Sequence, residues 1–180
     1  MWQQKQLPPS LPSSLCSERI TVYPYEPDFK DCVLKFCQGE SAFPKGDTSG
    51  YTSMATLFVD CCSGLHACDI TGINDWDTSN VLDMNQMFRE ANVIMTEPMN
   101  FNTSKVTTMY AMFYKASSFD QPLNFDTSNV INMHLMFAHA RAFDQILNFE
   151  TSKVTTMFGM FYEANSFNHP LNFDTSNVDI

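Results

Sequence analysis

FDTSNVINMHLMFAHARAFDQILN, residues 125–148, is one copy of a unit that recurs every 24 residues. The copy before it, 101–124, reads FNTSKVTTMYAMFYKASSFDQPLN, and the copy after it, 149–172, reads FETSKVTTMFGMFYEANSFNHPLN. A copy at 76–100 carries one extra residue near Asn92–Ile94, and a further one begins at Phe173. Asp47–Phe58 aligns with Asp77–Phe88, which makes 47–75 a degenerate first repeat. A fixed period in this range decides the architecture before any local propensity does.

The columns of the unit separate inside from outside. Val81, Val106, Val130 and Val154 form one column, followed by the Met84, Met109, Met133 and Met157 column. Next come Met87, Met112, Met136 and Met160, then Phe88, Phe113, Phe137 and Phe161, then Ala91, Ala116, Ala140 and Ala164. Relative to Val these stand at +3, +6, +7 and +10. At a helical period they fill a stripe about 120° wide, which predicts a short amphipathic helix. The preceding Thr-Ser pair, Thr127 and Ser128 in this copy, is read as its N-cap. The second half of the unit alternates instead. Leu123-Asn124-Phe125, Leu147-Asn148-Phe149 and Leu171-Asn172-Phe173 predict short strands with Asn facing out. The expected class is therefore α/β, with stacked strand-plus-short-helix repeats and parallel strands. A lone unit cannot offset the entropy of ordering its backbone, at roughly 1–2 kcal/mol per residue, so the copies must cover one another.

The run W/F-D-T-S-N-V-x-x-M-x-x-M-F-x-x-A-x-x-F-x-x-P-L-N, over Trp76–Ile180, resembles the DUF285 repeat, also called the BspA-like leucine-rich repeat. That resemblance implies a leucine-rich-repeat-like solenoid with a surface or adhesive role. The chain departs from the usual leucine-rich pattern at Ser128, where the buried Asn would stand. The usual Asn ladder is therefore not carried over.

Ahead of the repeats, residues 1–25 are rich in Pro, Ser and Gln and read as a disordered segment. They lack the apolar core of a secretory signal. Residues 26–46 form an expected helical cap, with Phe29, Cys32, Val33, Phe36 and Cys37 on one face. All six cysteines precede the regular repeats. Cys32, Cys37, Cys61, Cys62 and Cys68 are candidates for disulfides that staple the cap; buried thiols and a zinc site with His66 are the alternatives. The last repeat stops at Ile180, and the chain is read as a fragment of a longer array.

Function is narrowed mainly by exclusion. The net charge is −10 and only 17% of residues are charged, which argues against nucleic-acid and anionic-membrane partners. No apolar run is long enough to span a membrane. The histidines His66, His134, His139 and His169 occupy different repeat positions, so no catalytic set is expected, and neither is a metal or cofactor. The acidic column Asp77, Asp126, Glu150 and Asp174 fits turn formation better than calcium binding. A non-enzymatic protein- or matrix-binding surface module remains. Its expected binding residues are the Asn100, Asn124, Asn148 and Asn172 row and the variable positions Tyr110, Tyr114, Phe158 and Tyr162. The alternatives are a purely structural segment of a larger protein, or an ice-type lattice binder using Thr103, Thr127, Thr151 and Thr175. By family resemblance the place of action is the cell surface or outside the cell.

Overall fold

The computed structural model describes residues 26–44, 47–63 and 67–179. The 1–25 segment, Cys16 and His66 lie outside the described residues. Helix α1 spans Glu26–Cys37. Phe29, Cys32 and Val33 are buried on its inner face, and Lys35 bonds Asp31 one turn back at 3.0 Å. Its end is a Schellman motif: Gly39, at φ +75°, donates to Phe36 and Glu40 donates to Lys35. Only glycine takes this left-handed turn without steric cost.

After α1 the chain runs in coils, taken here as coil 1 (47–75), coil 2 (76–100), coil 3 (101–124), coil 4 (125–148) and coil 5 (149–172). Successive coils are joined in parallel. Bridges link Ser53 to Asp83, Asp83 to Thr108, Thr108 to Asn132 and Asn132 to Thr156, all parallel. Two short strands, β1 (Cys68–Asp69) and β2 (Val93–Ile94), pair in the same sense. A 3-10 turn at Thr71–Asp75 leads from β1 into coil 2. In the Leu-Asn-Phe half of the unit, pairing is limited to one parallel bridge, Met99 to Leu123, and 147 and 171 carry no strand.

The helices expected from Val106, Val130 and Val154 are not formed; these segments are chains of tight turns. Each coil places two residues in the left-handed region, five and nine positions after its Val. These are Gln86 and Glu90, Ala111 and Lys115, Leu135 and His139, and Gly159 and Glu163, at φ between 50° and 61°. Coil 1 does the same at Thr56 and Asp60. A left-handed residue ends an α-helix at once. Even-numbered amides after the Val close turns within the coil: Met87 donates to Met84, Arg89 to Gln86 and Ala91 to Phe88. Odd-numbered ones donate to the next coil: Met84 to Thr108, Gln86 to Tyr110, Phe88 to Met112 and Glu90 to Tyr114. The same alternation holds in coils 3 and 4, and the amides four positions after the Val donate to an Asp or Asn side chain, so every amide from three to ten positions after the Val has a partner without a helix.

The apolar columns are buried as stacks. Phe58, Phe88, Phe113, Phe137 and Phe161 lie ring on ring at 5.1–5.6 Å. Phe119, Phe143 and Phe167 form a second stack, braced on the first at 4.3–4.5 Å. At the α1 end, Phe29 meets Trp76 edge-on at 4.8 Å, and the Trp76 indole N–H donates to Pro44. The Thr column is a second correction. Thr48, Thr78, Thr103, Thr127 and Thr151 are 1–2% exposed and cap no helix. Each Oγ1 donates to a backbone carbonyl of the following coil, those of Asp77, Asn102, Asp126, Glu150 and Asp174. Thr103, Thr127 and Thr151 therefore offer no hydroxyl array to a lattice.

Candidate binding surface

The left-handed corners throw specific residues outward. Positions four and eight after the Val, each just before a corner, form two rows across the coils: Asn85, Tyr110, His134 and Phe158, and Arg89, Tyr114, Ala138 and Tyr162, of which Ala138 is fully buried. In the first row Tyr110 meets His134 at 5.5 Å and His134 meets Phe158 at 5.4 Å. Its placement comes from below: Asn85 Oδ1 accepts from the Tyr110 amide at 3.0 Å and from Thr108 Oγ1 at 2.6 Å. Asn132 Oδ1 accepts from the His134 amide at 2.9 Å.

Beside the second row lies the second set of corners, Asp60, Glu90, Lys115, His139 and Glu163. His139 stands edge-on between Tyr114 at 5.6 Å and Tyr162 at 5.2 Å, and its Nδ1 is 2.9 Å from Glu163 Oε2. Arg89 and Lys115 both approach the Tyr114 ring, at 6.0 and 5.2 Å, and both reach Glu90, at 2.9 and 3.8 Å. Two clefts result. A groove of about 280 Å³ lies between the two rows, with Tyr110 and Tyr114 as walls, Ala111 and Leu135 as floor, and Gln86 and Arg89 at one end. A more open cleft of about 380 Å³ lies beyond the second row, lined by Asp60, Glu90, Lys115, His139 and Arg141 among others.

Of the residues expected to bind, Tyr110 and Tyr114 are half-buried groove walls, and Phe158 and Tyr162, at 75% and 58% exposure, continue the rows. Asn100, Asn124, Asn148 and Asn172 are exposed, but the groove includes none of them. Asn124 instead donates its side-chain amide to Asn100 Oδ1, and Asn100 is held through its own amide by Asn74. The reading from sequence singled out neither His139 nor Leu135 for this surface. The signal available was variation between copies, since Leu135 stands in the column of Gln86, Ala111 and Gly159, and His139 in that of Glu90, Lys115 and Glu163.

The acidic column closes turns. Carboxylates of Asp47, Asp77, Asp126, Glu150 and Asp174 each accept the amide of the Ser two residues on. The serine hydrogen bonds, to hydroxyl and backbone, hold all five pKa values below the usual carboxylate range. The neighbouring column alternates between Asn and Lys for a geometric reason. Asn80, Asn129 and Asn177 donate to a Ser carbonyl of the preceding coil. Lys105 and Lys153 bond the Oδ1 of Asn80 and Asn129, each at 2.7 Å.

At the α1 end, disulfides join Cys37 to Cys61 and Cys62 to Cys68, and Cys32 is also in a disulfide. The first ties α1 to coil 1; the second closes the loop of coil 1 on itself. Sulfurs so engaged are not thiolate ligands, which removes the donors of the zinc alternative. Among the described residues, no helix is long and apolar enough to cross a membrane.

The chain matches the family model described as Mycoplasma protein of unknown function, DUF285, over residues 40–147 and 99–180. No curated protein and no solved structure matches it.

Proposed function

The chain belongs to the DUF285 family, and from that premise we propose that it is a leucine-rich-repeat-like solenoid of the BspA type. In this reading it works without catalysis, as a protein- or matrix-binding module at the cell surface or outside the cell. The observation that carries the reading is a pair of part-exposed aromatic runs, Tyr110–His134–Phe158 along the first row and Tyr114–Tyr162 of the second row with the corner residue His139 between them. They stand on a rigid ladder of backbone hydrogen bonds. Aromatic side chains lose little entropy on binding and dominate interface energetics, so a preformed pair of such rows suits recognition. The disulfides of the α1 end support the location, because such bonds persist in oxidising compartments.

The alternative, a purely structural segment, is favoured by the Thr rungs and the Asn–Lys alternation, which serve only to hold coils together. One experiment separates the two. The immobilised chain is exposed to a panel of purified extracellular-matrix proteins and read by surface plasmon resonance. The binding module retains at least one of them saturably and loses it in the Tyr110→Ser/Phe158→Ser double variant. A spacer retains none, or retains them equally in both forms.

A further inference from the structure

We propose that four sulfurs at the α1 end form one thiol-exchange site, at which a small external thiol unties α1 from coil 1. The inference is independent of the binding-module reading, and the ligand class is a low-molecular-weight thiol.

Three features converge on this site. Cys37–Cys61 and Cys62–Cys68 are separate disulfides, yet their inner sulfurs belong to adjacent residues and touch: Cys61 Sγ and Cys62 Sγ are 3.6 Å apart. Cys62 Sγ also lies 3.6 Å from the Cys37 carbonyl oxygen. Burial divides the four. Cys61 and Cys62 are 1% and 3% exposed, whereas Cys37 and Cys68 are half-buried, so a thiol from solvent reaches the outer pair first. The backbone is also unusual at the contact. Coil 1 has the two left-handed corners of every coil, at Thr56 and Asp60, and a third left-handed residue, Cys62 at φ 58°, that no other coil repeats among the described residues. A side chain resists that region, and residues held there gather at switch sites.

The exchange follows from these positions. A thiolate attacks one sulfur of a disulfide and expels the other as a thiolate. An external thiolate that attacks Cys68 Sγ forms a mixed disulfide there and expels the Cys62 thiolate. Burial disfavours a charge at Cys62, and the sulfur in contact with it is that of Cys61. Attack on Cys61 Sγ forms a Cys61–Cys62 bond and breaks Cys37–Cys61. The charge passes to the half-buried Cys37, which takes a proton from water. A second external thiol then frees Cys68 and leaves as an external disulfide. Two external thiols are oxidised and one protein disulfide is reduced. Entry at Cys37 runs the same relay in reverse, through Cys61 to Cys62, and ends at the same products. In both cases the Cys37–Cys61 tie between α1 and coil 1 is gone.

The test titrates the full oxidised chain with reduced glutathione, quenches by rapid alkylation with N-ethylmaleimide and maps the labelled peptides by mass spectrometry. Labels should appear on Cys37 and Cys68 together and in equal amounts, with Cys61 and Cys62 unlabelled and joined to each other. Hydrogen exchange across Glu26–Cys37 should quicken in step with the Cys37 label. Labels confined to Cys62 and Cys68, or to Cys37 and Cys61, would show two independent disulfides and overturn the proposal. So would labels on all four with no Cys61–Cys62 species, no label until the chain unfolds, or unchanged exchange in α1 once Cys37 is labelled. A Cys68→Ser variant checks the transfer without any reductant. It leaves Cys62 without its disulfide partner, and the label should be found on Cys37 as well as on Cys62; label on Cys62 alone overturns the transfer.

Discussion

Thr127 separates two accounts of the repeat. As a helix N-cap it would sit at the surface and bond an amide of its own segment. In the structure it is 2% exposed and donates Oγ1 to the Glu150 carbonyl of the next coil at 2.9 Å. Thr127→Val keeps the shape and removes the donor, leaving that carbonyl without its partner. The cost of such a loss is roughly 1–3 kcal/mol. For a chain of this size each kcal/mol lowers the melting temperature by about 2–4 °C, so a fall of about 2–12 °C is expected. Thr127→Asp discriminates more sharply. Asp is a favoured N-cap and would be nearly neutral at a helix start. In the rung it would place a desolvated carboxylate against a carbonyl, with no donor for it, and should cost several kcal/mol. Thermal and urea unfolding followed by circular dichroism measure both variants. An Asp variant as stable as the parent, or a Val variant with no loss, would refute the inter-coil rung.

The other predictions concern the stack, the cap and the carboxylates. Phe137→Ala opens a cavity in a ring stack whose neighbours stand 5.5 and 5.6 Å away and should cost roughly 3–5 kcal/mol; an unchanged urea midpoint would contradict it. Reducing Cys37–Cys61, whose partners are 24 residues apart, should lower stability by about 3 kcal/mol, and native protein should titrate no free thiol at Cys37, Cys61, Cys62 or Cys68. Because the folded pKa values of Asp47, Asp77, Asp126, Glu150 and Asp174 are depressed, their contribution to stability is present above the unfolded pKa and is lost as pH falls through the folded values. The urea midpoint should therefore decline from about pH 4.5 downward, and less steeply in Asp126→Asn, which makes that coil resemble the one carrying Asn102; a flat midpoint down to pH 3 would contradict the turn assignment.

What could be read in advance followed from side-chain chemistry. The Val, Met and Phe columns are apolar at every copy, and Val130, Met133, Met136 and Phe137 are fully buried. The backbone path was not legible, because spacings of +3, +6, +7 and +10 fit a helical stripe and a chain of turns equally well. The distinguishing feature is the left-handed corner, and glycine advertises it only at Gly159. Elsewhere Gln86, Ala111, Lys115 and Leu135 occupy corners that their side chains resist, held there by hydrogen bonds from the adjoining coils. Such long-range bonds leave no local trace in a sequence. The Thr column misled for the same reason: the residue that caps a helix also makes a buried rung, and only the neighbouring coil decides between them. The binding rows were half legible. Tyr110, Tyr114, Phe158 and Tyr162 stood out as variable aromatics, whereas His134 and His139 read as separate surface groups until the corners placed each between rings.

Every outward row, and so the groove itself, depends on those corners. The direct test compares Lys115→Gly with Lys115→Ala by urea unfolding, since both lose the same long side chain and its 3.8 Å contact with Glu90. At φ 56° the Cβ of alanine is strained by roughly 1–2 kcal/mol and glycine is not, so the glycine variant should be more stable, by about 1 kcal/mol after its greater chain entropy. In a helix the order reverses, with alanine ahead by about 1 kcal/mol, and that result would contradict the turn-built coil.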